Sequence, residues 1–141
     1  MSQITLTNIV KKYGDGFPAV NDVSIDIKDG EFMVLVGPSG CGKSTLLNTL
    51  GCLDTPSSGE YLLDGIPVRT MSKNERAILR NRKIGFVFQS YNLLAKTTAI
   101  ENVELPLMYN AAVNATERKN RAVEALKAVG LGDRLMHKSN Q

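Results

Sequence analysis

The chain has no apolar run long enough to cross a bilayer, and its first residues lack the pattern of a secretory leader. A cytosolic protein is the expectation. It has two cysteines, Cys41 and Cys52, too few for a disulfide framework or a zinc cluster. Cys52 reads as a small buried apolar residue. The one histidine, His137, reads as a solvated side chain. The formal net charge of +3 is too small to argue for a nucleic-acid partner. Arg69, Lys73, Arg76, Arg80, Arg82 and Lys83 crowd one segment, but no aromatics are interleaved to stack on bases. That segment reads as a solvated helix face. Internal repeats and low-complexity stretches are also missing. What is present is 141 residues, 43 % apolar and 22 % charged, the make-up of one soluble globular domain.

The stretch that organises the chain is Gly37-Pro38-Ser39-Gly40-Cys41-Gly42-Lys43-Ser44-Thr45. It follows the apolar run Phe32–Val36 and precedes Leu46, Leu47 and Leu50, which recur at helical spacing. Strand, glycine-rich loop, helix is the order a phosphate-binding P-loop requires. The glycines let successive backbone N–H groups converge on one anion, and the new helix aims its positive end at the same place. Lys43 is placed to reach terminal phosphates, and Ser44 to offer a hydroxyl to magnesium. The simpler alternative is a glycine-rich turn closing a hairpin.

Around this stretch, residues 4–10 read as a strand with imperfect alternation. Val23, Ile25 and Ile27 alternate with polar residues as in a half-buried strand. Asp29-Gly30 is a tight turn feeding Phe32–Val36, which is apolar on both faces and so suits the interior of a sheet. Gly51 stops the P-loop helix. Residues 54–59 form a loop, residues 60–65 a short strand ending in an Asp-Gly turn. Ser72 and Glu75 make a capping box for a helix to about residue 82. Ile84–Phe88 reads as a second central strand. Beyond it the texture is helical: 99–108 with Pro106 to bend or end it, then a helix capped by Asn114 with Glu117. Ala122, Ala125, Leu126 and Val129 are expected to form its buried stripe, and Gly130 ends it. Asp133 is placed to start a last short helix.

A P-loop by itself does not separate kinases, GTPases and transport ATPases. Tyr13 ahead of the loop, Gln89 at the end of Phe86-Val87-Phe88, then Ser90-Tyr91-Asn92-Leu93-Leu94 and Thr98-Ala99-Ile100-Glu101-Asn102-Val103 add to it. Together these resemble the nucleotide-binding domain of an ATP-binding cassette (ABC) transporter. Residues 84–107 are most similar to the lipoprotein-release and macrolide-export branch. The resemblance implies an α/β P-loop NTPase core with an antiparallel β subdomain, residues 1–88, and a Q-loop with part of a helical subdomain, residues 89–141. It implies ATP and Mg2+ as ligands. Ser39, Gly40, Cys41, Gly42, Lys43, Ser44 and Thr45 would hold the phosphates, Tyr13 would stack on adenine, and Val20 would flank that ring. Ser44 and Gln89 would serve the metal, and Lys43 and Gln89 the chemistry. Tyr13 and Gln89 also have plain readings, as a surface tyrosine near a turn and a solvated strand-end glutamine. The implied partners are a membrane-spanning transporter subunit and a second copy of the domain, with the protein peripheral at the cytoplasmic face of the membrane and no nucleic acid.

The family's Leu-Ser-Gly-Gly-Gln signature, Walker B aspartate with its adjacent glutamate, and switch histidine have no counterparts in these 141 residues. The expectation is therefore the N-terminal part of such an ATPase, nearly inactive in hydrolysis by itself. Two other readings stay open: a non-catalytic interaction fragment, and a different P-loop enzyme such as a small-molecule kinase. An apolar strand without its covering elements leaves an open edge, so self-association is expected. Light scattering at high protein concentration should show species larger than the monomer.

Overall fold

A computed structural model describes residues 3–139. The chain divides into two compact units, Met1–Phe86 and Val87–Gln141. In the first, β1 (Ile4–Lys11), β2 (Val20–Ile27), β3 (Ser58–Leu63) and β4 (Ile66–Pro67) form an antiparallel sheet in the order β2-β1-β3-β4. The imperfect alternation of β1 has a structural cause. Its pairing with β2 shifts register between Leu6 and Ile9, so two residues three apart are both buried. Lys11, at the end of the same strand, is buried as well.

Two helices complete the unit. α1 (Lys43–Leu50) sends Leu46 into the core and ends at Gly51. α2 (Lys73–Lys83) starts at the capping box read from the sequence: Ser72 Oγ accepts from Glu75 N, and the Glu75 carboxylate accepts from Ser72 N. Arg80, Arg82 and Lys83 occupy its last turn, where cations suit the negative end of the helix. Leu6, Ile9, Val20, Leu46, Cys52, Tyr61, Leu63, Val68 and Leu79 make one core. Tyr61 lies at its centre and donates its hydroxyl to Leu50 O at 2.7 Å. Burial pushes this phenol far above its ordinary value.

The second unit is a helical hairpin. α3 (Ala99–Met108) opens on a capping box made by Thr98 and Glu101 and ends two residues after Pro106. α4 (Ala115–Ala128) is capped by Asn114, whose side chain accepts from Glu117 N at 2.9 Å. Its end is a Schellman closure: Gly130 N donates to Lys127 O and Leu131 N to Leu126 O. Ile100, Ala122 and Leu126 form the core between the helices. The chain then returns to the start of α3, where Ala99 N and Ile100 N donate to His137 O and Leu135 O.

Three expectations are corrected. Phe32–Val36 and Ile84–Phe88 are not strands; among the described residues the only sheet is the antiparallel one above. An apolar segment becomes a strand only where a neighbour offers its ladder. Phe32 is 90 % and Val36 89 % exposed, so the first segment lacks a covering layer too. Asp133 starts no helix; Arg134 N to Leu131 O and His137 N to Arg134 O close two successive turns. Ala125 and Val129 are exposed, because packing against α3 uses the 122/126 side of α4.

Replacing Tyr61 with Phe leaves the Leu50 carbonyl only the long contact from Cys52 Sγ at 4.0 Å, at a cost of about 1–3 kcal/mol. A lower urea midpoint with an unchanged m-value is the expected outcome.

Candidate functional site

The glycine-rich loop runs from irregular chain through a turn at Ser39-Gly40 into α1. Gly40 (φ +79°) and Gly42 (φ +91°) take left-handed backbone angles. Gly42 meets a second constraint: a Cβ there would stand 2.1 Å from Ala19 O. Only glycine lets the loop settle on the residues that open β2. Val20, the first residue of β2, is buried in the core beside this contact.

Lys43 folds back over the loop it terminates. Its Nζ donates to Gly37 O and Pro38 O at 2.7 Å each and lies 3.4 Å from Cys41 Sγ. α1 has no side-chain cap and no acidic residue in its first turn. The first helical bond in the loop is Leu46 N to Gly42 O at 2.9 Å, so the amides of Lys43, Ser44 and Thr45 precede the helix's own ladder. Ser39, Cys41 and Ser44 are exposed and Thr45 is half-buried. One short loop thus carries an ammonium group, three amides at a positive helix end and two exposed serines. That is donor chemistry suited to an anion, and a row of phosphates fits it. Among the described residues no cluster of three or more His, Cys, Asp or Glu side chains gathers to hold a metal.

Tyr13 lies in the connection between β1 and β2, which Ala19 N closes by donating to Lys11 O at 2.8 Å. The ring is 57 % exposed. Its hydroxyl donates to Asp54 Oδ2 at 2.9 Å, and Lys11 Nζ stands 4.8 Å from the ring centroid. Partial burial, then the hydrogen bond and charge of Asp54, raise the phenol above its ordinary value, while Thr45 on the same hydroxyl acts the other way. Burial acts to raise Asp54. The bonds from Lys11, Thr55 N and Tyr13 outweigh it and hold the carboxyl below the usual carboxylate range. The loop and Tyr13 therefore belong to the same unit, joined through the β1–β2 connection. Gln89 is exposed and lies in the second unit.

Sequence reasoning missed Lys11 and Asp54. Lys11 reads as the start of a polar loop and Asp54 as a loop residue, yet they form an ion pair at 2.7 Å. Their separation along the chain leaves no local pattern to find. The capping box at Thr98 and Glu101 was findable from its spacing alone.

The family described as ABC transporter matches residues 20–141. An uncharacterized ABC transporter ATP-binding protein of Thermotoga maritima is 58 % identical over 123 residues, which is 87 % of this chain and 52 % of that protein. The macrolide export ATP-binding/permease protein MacB of Brucella abortus is 52 % identical over 141 residues, 98 % of this chain and 22 % of that protein. A dimeric structure of MJ0796, a bacterial ABC transporter cassette, matches with a TM-score of 0.89 at 45 % identity, covering 98 % of this chain and 62 % of that one. The same cassette in a post-hydrolysis dimer bound to ADP and Pi matches with a TM-score of 0.88 at 44 % identity. The chain thus spans about half of the Thermotoga relative's length. With the family matched over most of its residues, this chain belongs to the ABC transporter family and carries part of the α/β ATP-binding cassette fold.

Proposed function

We propose that this chain supplies the ATP-binding part of an ABC transporter ATPase that powers transport across a membrane. The observation that carries this reading is the Gly37–Lys43 loop, seated against Ala19 and closed by the Lys43 ammonium. On binding, the Lys43 ammonium exchanges its two loop carbonyls for phosphate oxygens, a stronger charge-assisted bond. The amides of residues 43–45 receive the remaining phosphate charge, with Ser39, Gly40, Cys41 and Gly42 shaping the cradle. Ser44 is the hydroxyl that would hold a magnesium ion, with Gln89 a further ligand by family resemblance; such an ion would supply positive charge against the phosphates. Tyr13 offers a flat platform to adenine, with Val20 flanking the same ring.

In this reading residues 1–88 are the β subdomain with the phosphate-loop core, and 89–141 the Q-loop with part of the helical subdomain. The partners are a membrane-spanning transporter subunit and a second ATPase domain. The chain works at the cytoplasmic face; among the described residues no helix is long and apolar enough to cross a membrane itself.

Titration calorimetry with magnesium should detect ATP binding, and Lys43→Ala should weaken it by about tenfold to a hundredfold, the value of a hydrogen bond to a charged group. No heat with ATP and no effect of the substitution would remove the proposal. The thiols give a second readout. Cys41 is exposed beside Lys43 and Cys52 is buried. Mg-ATP should slow alkylation of Cys41, while Cys52 stays unmodified with or without nucleotide.

A further inference from the structure

Lys11 is a charged side chain in an unusual place. The residue is only 8 % exposed, and a buried cation persists only where partners replace its water. Its Nζ donates to Asp54 Oδ1 at 2.7 Å and to Thr55 O at 2.8 Å. Asp54 Oδ1 also accepts from Thr55 N at 2.7 Å, which fixes the carboxylate's plane. The other oxygen, Oδ2, accepts from the Tyr13 hydroxyl at 2.9 Å. The whole arrangement of buried lysine, carboxylate and backbone converges on one largely exposed ring. Replacing such a pair by apolar residues is often neutral for stability, so stability alone does not account for it.

The ring would otherwise be hard to hold. It sits in Lys12-Tyr13-Gly14-Asp15-Gly16, where Gly14 has φ +63°. An exposed aromatic on such a loop samples several orientations, and a ligand stacking on it would have to select one. Here the hydroxyl end is tied to Asp54, and one face lies under the Lys11 ammonium. A base stacking on the ring would take the opposite face, and the residue as a whole is 57 % exposed.

We propose that Asp54, backed by Lys11, is a positioning residue that holds the Tyr13 ring in place as the platform for a nucleotide's base. This rests on the reading of Tyr13 as an adenine platform. The two are separable by comparing ATP with inorganic tripolyphosphate, which carries the phosphates and no base.

The experiment measures magnesium-dependent binding of both compounds to the unaltered chain and to Tyr13→Ala, Tyr13→Phe, Asp54→Ala and the Tyr13→Phe/Asp54→Ala double variant. Tyr13→Phe keeps the ring and the Lys11–Asp54 pair but removes the tether. Tyr13→Phe and Asp54→Ala should each weaken ATP about threefold to tenfold, the range of one hydrogen bond. The double variant should be no weaker than the weaker single one, because both remove the same tether. Tripolyphosphate should bind all variants alike. If Tyr13→Ala weakens ATP but Tyr13→Phe binds it as tightly as the unaltered chain, the positioning role is overturned and the platform stands. If Tyr13→Ala leaves ATP binding unchanged, the platform itself fails and the inference with it. Should Asp54→Ala also lose tripolyphosphate, its effect is on folding, and Tyr13→Phe decides: a selective loss of ATP sustains the proposal, and no loss overturns it.

Discussion

The structure of the first unit depends on one close approach. At Gly42 the backbone passes so near Ala19 that a single methyl group would stand 2.1 Å from the Ala19 carbonyl oxygen. That contact seats the glycine-rich loop on the beginning of β2 and sets where α1 begins. It also joins two features far apart in the chain, because the β1–β2 connection that ends at Ala19 carries Tyr13. A larger residue at position 42 would lift the loop off the sheet, and with it the Lys43 ammonium and the first-turn amides.

The second constraint is electrostatic. The loop collects donors with no acidic residue in the first turn of α1 to neutralise them. Elsewhere in the same unit, the Lys11–Asp54 pair does the opposite and cancels its own charge within a partly buried site. The two arrangements suit different tasks. Uncompensated donors favour an anion that arrives from solution, whereas a compensated pair holds a side chain still. Both lie in the same unit: the ring that Asp54 ties down sits on the connection that ends at Ala19, against which the loop is seated.

Features set within four or five residues were legible before any coordinates. Ser72 with Glu75 and Asn114 with Glu117 cap helices where their spacing says they should, and Gly51 and Gly130 close helices. These are local hydrogen-bond problems, solved by the residues that pose them. Phe32–Val36 shows where such reading stops. Its composition suits a buried strand, but strand formation is a property of a pair, and among the described residues it joins no sheet. Ala125 and Val129 make the same point for helices: spacing identifies a stripe, and the neighbouring helix decides how much of it is covered. In the candidate site, the glycine-rich loop and Tyr13 were legible by motif and resemblance; Lys11 and Asp54 were not, since each looks like an ordinary loop residue until the other is beside it.

By itself the sequence determined the phosphate-loop pattern, the capped helix ends at Ser72 and Asn114 and the family resemblance, because glycine conformations, caps and motif order are written in adjacent residues. Tertiary structure alone decided which apolar segments lie exposed, why Gly42 tolerates no side chain, and that a lysine from β1 and a carboxylate after α1 close on one tyrosine. The physical reason is distance along the chain: burial, pairing and charge compensation depend on groups that only folding brings within a few ångströms.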